Sequence, residues 1–255
     1  MNLALVLSLM KLLLDLGNTR LKSAYTDDHT LIPLTPLQHQ HADFLVALQL
    51  QWQALPCSPT LLAISCVGRV SVLHQLLNLA RQYWPSINIF IPKAQAVCLG
   101  VRNAYHEPEK LGIDRWLALL AARQMYQEPV AIIDCGTAIT LDFLASDGLH
   151  LGGMICPGLT LMKRSLAVGT EQLPQVAHQQ FTSLANSTET AINSGVLNAA
   201  AGLIERVIHS HTSPCKLIFS GGDAELLAAE INLPSIIYPE LVMLGLLALS
   251  QQNDL

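Results

Sequence analysis

The sequence predicts an α/β protein of two lobes, and three observations point there. The chain opens with a strand-rich meander and then alternates strands with helices. That order occurs twice. Each meander begins with a carboxylate and a glycine turn, Asp15-Leu-Gly-Asn-Thr19 and Asp134-Cys-Gly-Thr-Ala138, a weak internal duplication. A chain of 255 residues is long enough for two such lobes.

In the first half, Leu12–Leu14 is an apolar run ending at Asp15, and Gly17-Asn18 is a tight hairpin signal. Leu21–Tyr25 returns as a strand, with Leu31–Leu34 as a third. Leu37–Leu48 has helical spacing. Leu61–Ser65 reads as a buried strand, Val70–Tyr83 as a helix broken by Pro85, and Ile87–Ile91 as a strand ended by Pro92. Residues 93–111 look irregular. Gly112 to Met125 is helical, with Trp116, Leu119 and Leu120 on one face.

In the second half, Val130–Ile133 is a strand, Ile139–Leu144 returns, and Leu149–Ile155 pairs after Asp147-Gly148. A helix follows Pro157-Gly158. Thr188–Ser210 is a long helix, followed by strand Lys216–Phe219, helix Ala224–Ile231, strand Ile236–Tyr238 and helix Glu240–Ser250. No low-complexity linker intervenes. The boundary is expected near 112–128 and is drawn between 115 and 116, giving lobes 1–115 and 116–255.

Composition narrows the function. Charged residues make up 13% and hydrophobic ones 51%, which fits a large core or an apolar interface with a second copy. A net charge of −5 and the absence of a basic stripe argue against nucleic acid. Cysteines 57, 66, 98, 135, 156 and 215 include no CxxC pair and read as reduced thiols of a cytoplasmic protein. Met1–Met10 is apolar but lacks a basic leader region and a cleavage site, and is too short to span a bilayer. Met10 is therefore the expected natural start, with no membrane association.

The turn after Asp15 leaves backbone amides open to phosphate oxygens, as an ordinary capped hairpin also would. Thr19 adds a hydroxyl and Lys22 a charge, and Asp15 could hold hydrated Mg²⁺. Asp134-Cys-Gly-Thr-Ala-Ile-Thr140 repeats the design. Ser220-Gly-Gly-Asp-Ala224 joins a strand to a helix. Its glycines could admit a flat ring, and Asp223 could equally be a plain helix cap. Asp114 and Arg115 fall in a first helical turn. There a carboxylate suits the helix dipole, whereas a cation does not and should be held by something anionic. Asp114 could accept a hydroxyl proton, and Arg115 and Tyr105 could position a polar or acidic substrate. His39 and His41 read as a solvated loop, and His209 and His211 as helix-end residues. Cys135 is assigned no redox role.

Seven segments, DLGNTRLK, YHEPEKLGIDR, DCGTAIT, GGMICPGL, STETAINSG, SGGDA and PELVMLGL, occur in an order that resembles type III pantothenate kinases over about residues 11–250. The resemblance implies actin-like (RNase H-like) lobes, each a mixed five-stranded sheet with flanking helices. It also implies a homodimer, ATP, Mg²⁺ and a monovalent cation (K⁺ or NH4⁺), and phosphorylation of the terminal hydroxyl of pantothenate, the first step of coenzyme A synthesis. Carried over by position, Asp15, Leu16, Gly17, Asn18, Thr19, Arg20, Leu21 and Lys22 match the first phosphate motif. Thr137 lies in the second, and Gly221 and Gly222 resemble the adenosine motif. Asp134 matches the carboxylate that binds K⁺. Asp114 matches the catalytic base. Tyr105, Gly112, Ile113, Asp114 and Arg115 match substrate positions, as does Thr188, which the family supplies across the dimer interface. Ser65-Cys-Val-Gly-Arg69 stands where a Ser-Val-Val-Pro-like stretch is commoner. Two rival expectations are a kinase for another small hydroxylated substrate and a non-catalytic nucleotide-binding regulator.

Overall fold

The structure is a computed structural model that describes residues 10–171, 173–176, 181–211 and 214–252. In chain order the first half carries β1 (Lys11–Leu16), β2 (Arg20–Thr26), β3 (Leu31–Pro33), β4 (Leu37–Gln38), α1 (Phe44–Gln53), β5 (Leu61–Cys66), α2 (Val70–Tyr83), β6 (Asn88–Phe90), β7 (Val97–Cys98), β8 (Val101–Arg102), a 3₁₀ turn at Pro108–Lys110 and α3 (Ile113–Met125). The second carries β9 (Val130–Cys135), β10 (Ala138–Leu144), β11 (His150–Pro157), α4 (Leu159–Gly169), α5 (Thr188–Ser210), β12 (Lys216–Ser220), α6 (Ala224–Glu230), β13 (Ser235–Ile237) and α7 (Leu241–Gln252).

The chain forms two compact units. One holds the described residues up to Met125 together with the segment from Glu240, and the other is Tyr126–Pro239. The division at 125/126 lies inside the expected 112–128 but beyond the boundary drawn at 115/116, and the closing helix belongs with the first unit. The reason is burial. Leu117 and Leu120 of α3 and Leu241, Leu246 and Leu249 of α7 are buried, α3 packs on α7, and α7 packs on β1 and β5.

The two sheets share one topology. The first runs β3-β2-β1-β5-β6 with β4 added beside β2, and the second runs β11-β10-β9-β12-β13. In both, the leading strand pairs antiparallel with the next one and parallel with the strand after a crossover. β1 (KLLLDL) and β9 (VAIIDC) even share one burial pattern, with only the carboxylate position left partly exposed. The duplication expected from the two glycine turns is therefore a duplication of whole sheets.

Each core follows from period-two alternation. Leu12, Leu14 and Leu16 pack with Leu62, Ile64 and the α1–α2 residues Phe44, Leu48, Trp52 and Leu76. Ala131, Ile133 and Cys135 pack with Leu141, Phe219 and the α5 residues Val196, Leu197, Ala200 and Ile204. Each fully buried leucine contributes about 1.5–3 kcal/mol.

Two local expectations change. Leu37–Leu48 has helical spacing, but Leu37 and Gln38 pair with Leu21 and Arg20 as β4, and α1 starts only at Phe44. The free edge of β2 captures the first two residues before a helix can form. Residues 93–111 contain a two-strand ladder, β7–β8, and the 3₁₀ turn. Among the described residues no helix is long and apolar enough to cross a membrane.

Candidate active site

Strand pairing assembles the residues around the first glycine turn. Asp15 sits opposite Lys22 across β1–β2 and opposite Ser65 across β1–β5. The Ser65 hydroxyl donates to Asp15 Oδ1 at 3.0 Å. Burial pushes the Asp15 carboxyl from its ordinary 3.8 up to about 6, and Asp114 and Glu240 push the same way, while Lys22 and Ser65 pull it down. Two further carboxylates thus bear on Asp15, a setting in which a cation is favoured.

The turn itself is tightly fixed. The Gly17 amide donates to Arg20 O at 3.0 Å, and Asn18 stands exposed at its tip. The segment after β5 folds onto it. The amides of Val67 and Gly68 donate to Leu16 O at 3.1 and 3.0 Å. A Cβ on Gly68 would lie 2.5 Å from Gly17 O, so only glycine fits there.

The helix-borne motif lies at the start of α3. The Asp114 carboxylate accepts from the Arg115 amide at 2.8 Å. Arg115, a first-turn cation expected to be held by something anionic, is 6% exposed; its Nη1 donates to a neutral acceptor, Tyr105 Oη, at 2.9 Å, and its guanidinium lies 5.8 Å from the tyrosine ring centre. Asn103 sets that loop: its side-chain oxygen accepts from the Tyr105 amide at 3.0 Å, and its amide donates to Gln95 O and Pro108 O at 3.2 Å each. Gly112 and Ile113 precede the pair, and Gly112 O accepts from the Trp116 amide at 3.0 Å.

In the second unit, Asp134 sits opposite Thr140 and Ser220, the same register that Asp15 has with Lys22 and Ser65. Here the serine differs. Ser220 is 1% exposed, and its hydroxyl meets no partner among the described residues. The Gly136 amide closes the turn on Ala138 O at 3.1 Å, and Thr137 is exposed at the tip. Gly221 has φ +91° and presses on the Cys135 backbone, while the Asp223 amide donates to Cys135 O at 3.0 Å. Gly222 is exposed beside it. Asp223 does precede α6, but its side chain makes no capping bond. Burial, with Asp134 and Asp223 nearby, raises the Cys135 thiol far above the ordinary range. It stays a protonated core residue.

Thr188 opens α5 behind Ser187, whose side chain caps the helix by accepting from the Thr190 amide at 3.3 Å. It lines an open apolar groove of about 560 Å³ with Met162, Leu166, Ile192 and Val196.

Sequence reasoning passed over Ser65 and His39. A serine closing a buried strand is the only local signal for the first. His39, read as part of a solvated loop, is instead 9% exposed, with Nε2 3.1 Å from Gly17 O; His41 is exposed. His211 follows α5, but its ring stacks on Phe143 at 4.6 Å.

The family model for type III pantothenate kinase matches residues 11–210, from the first residue of β1 to the last of α5. This chain belongs to that family. A type III pantothenate kinase of Nitrosococcus oceani is 35% identical over 96% of this chain and 95% of its own length. Among solved structures, a Baf family protein of Campylobacter jejuni shares the fold at TM-score 0.60 and 21% identity, covering 95% of this chain and 98% of that one. MreB 5 of Spiroplasma citri, bound to AMPPNP, does so at TM-score 0.52 and 13% identity, covering 97% of each. At such identities the likeness concerns the fold alone, which is the actin-like one. The type III pantothenate kinase match runs through both glycine turns, the Tyr105–Arg115 segment and Thr188.

Proposed function

We propose that this chain transfers the γ-phosphoryl group of ATP to the terminal hydroxyl of pantothenate, giving 4′-phosphopantothenate and ADP, the first step of coenzyme A synthesis. The carrying observation is the carboxylate pair of the first unit. Asp15 ends a strand in the phosphate turn, Asp114 opens a helix, and the two charges feel each other.

The amides and Thr19 hydroxyl of the first turn, with Lys22, bind phosphate oxygens, and Thr137 serves the second turn. Gly221 and Gly222 let the adenosine approach the backbone. Arg115 and Tyr105 hold the carboxylate end of pantothenate, with Gly112 and Ile113 beside it. Asp114 takes the hydroxyl proton as the substrate oxygen bonds to the γ-phosphorus and the bond to the β-phosphate oxygen breaks. No covalent enzyme intermediate forms.

Two cations complete the proposal. Asp15, a carboxylate crowded by two others, fits a hydrated Mg²⁺ shared with the phosphates. Asp134 fits K⁺ or NH4⁺, supported by the orphaned Ser220 hydroxyl opposite it in register. Such ions supply positive charge against the charge that builds on the transferring group. The working form is a cytoplasmic homodimer in which Thr188 of one protomer contacts the substrate held by the other. The apolar groove beside Thr188 and the exposed Ile155, Leu161 and Val168 support a covered surface.

The test is ADP release from ATP, Mg²⁺ and pantothenate with K⁺ or Na⁺ as the only monovalent cation. Pantothenate-dependent turnover that requires K⁺ is expected. Nucleotide binding without turnover in either salt would overturn the reading in favour of a regulator.

A further inference from the structure

His39 lies on a connection that no recognised motif covers. β4 pairs Gln38 with Arg20, so the next residue of the chain reaches the β1–β2 turn. There its Nε2 lies 3.1 Å from Gly17 O. A carbonyl oxygen only accepts, so Nε2 carries the proton and donates. The ring is seated edge-on to Phe44, with centres 6.2 Å apart and planes at 77°. Gly68 packs against the same carbonyl, leaving no room for a Cβ.

A peptide unit is planar and trans, so its C=O and N–H point to opposite sides. Fixing the Gly17 carbonyl therefore fixes the direction of the Asn18 N–H. The Gly17 amide is already engaged with Arg20 O, so Asn18 supplies the next amide the turn can present. We infer that His39 is a positioning residue for phosphate binding: its hydrogen bond orients the Gly17–Asn18 peptide so that the Asn18 N–H is presented to a phosphate oxygen of the nucleotide. This rests on the phosphotransfer reading above.

The second turn is anchored differently. There the Gly158 amide donates to Thr137 O at 2.9 Å, from the residue that caps α4. The duplicated sheets thus hold their turns by different devices, and the sequence repeat gives no sign of the histidine.

The test compares His39→Gln, which keeps a donor at the Nε2 position, with His39→Phe, which keeps the ring without the donor. ATP KM, pantothenate KM and adenosine affinity are measured on each, with melting curves. H39F is expected to raise the ATP KM about three- to tenfold, the size of one orienting hydrogen bond. Pantothenate KM and adenosine affinity should stay unchanged, and H39Q should behave like the wild type. An unchanged ATP KM in H39F, equal effects in H39F and H39Q, or equal losses for ATP and adenosine would each overturn the role. If H39F does not fold, His39→Asn replaces it, since its shorter amide falls short of Gly17 O and the same split from H39Q is expected. If the wild type binds ATP but leaves pantothenate unphosphorylated, that reading fails. ATP against adenosine binding in the same variants then still decides the role of His39.

Discussion

The Ser65 hydroxyl donates a 3.0 Å hydrogen bond to the Asp15 carboxylate across the parallel β1–β5 pair. It is one of two groups that pull the Asp15 pKa down, against burial and the nearby Asp114 and Glu240. Ser65→Ala removes that pull. If Asp15 must be ionised to hold the metal–phosphate group, the acid limb of kcat/KM should move up by about one pH unit. Activity should recover towards the wild-type level at high pH, and Ser65→Thr should restore the profile. A pH–rate series on the three proteins checks this.

Asp15 itself should weaken the empty protein above its own pKa. Its folded-state value is about 6 against an ordinary 3.8, so the folded state favours the protonated acid. Stability from this group is present below about pH 4 and is lost as pH rises through about 6. Asp15→Asn should therefore stabilise the ligand-free protein by about 1–3 kcal/mol at pH 7–8, after allowing for partial exposure. The gain should vanish near pH 4. Melting curves at both pH values test it, and the same variant should lose turnover.

Removing the proposed base separates chemistry from folding. Asp114→Asn should lower kcat about 10²–10⁴-fold with little change in melting temperature. Nucleotide affinity should hold or improve, because one of the like charges acting on Asp15 is gone. Unimpaired turnover would take Asp114 out of the role.

Arg115 depends on Tyr105. The guanidinium is buried and donates to the tyrosine hydroxyl at 2.9 Å. Tyr105→Phe keeps the ring beneath the cation but removes that acceptor. The KM for pantothenate should rise about three- to tenfold, while the KM for ATP stays as it was. Steady-state kinetics with each substrate varied in turn will show the split.

The sequence by itself determined the elements whose information is local. Asp15 and Asp134 each end a buried apolar run and enter a glycine turn, and that pattern needs only neighbouring residues to be legible. Asp114 and Arg115 were likewise readable as first-turn residues of a helix, the arginine by its mismatch with the helix dipole. Tertiary structure decided whatever strand pairing brings from far along the chain. Ser65 reaches Asp15 because β1 and β5 pair in parallel, and His39 reaches Gly17 because β4 adds to the edge of β2. The leucines at 37–48 carried helical spacing, yet an open strand edge offers backbone partners that spacing cannot reveal. The closing helix joined the first unit for a similar reason: its apolar residues needed a surface, and α3 with β1 and β5 supplied one. Period and turn chemistry are written residue by residue, whereas register and burial are set only when distant strands meet.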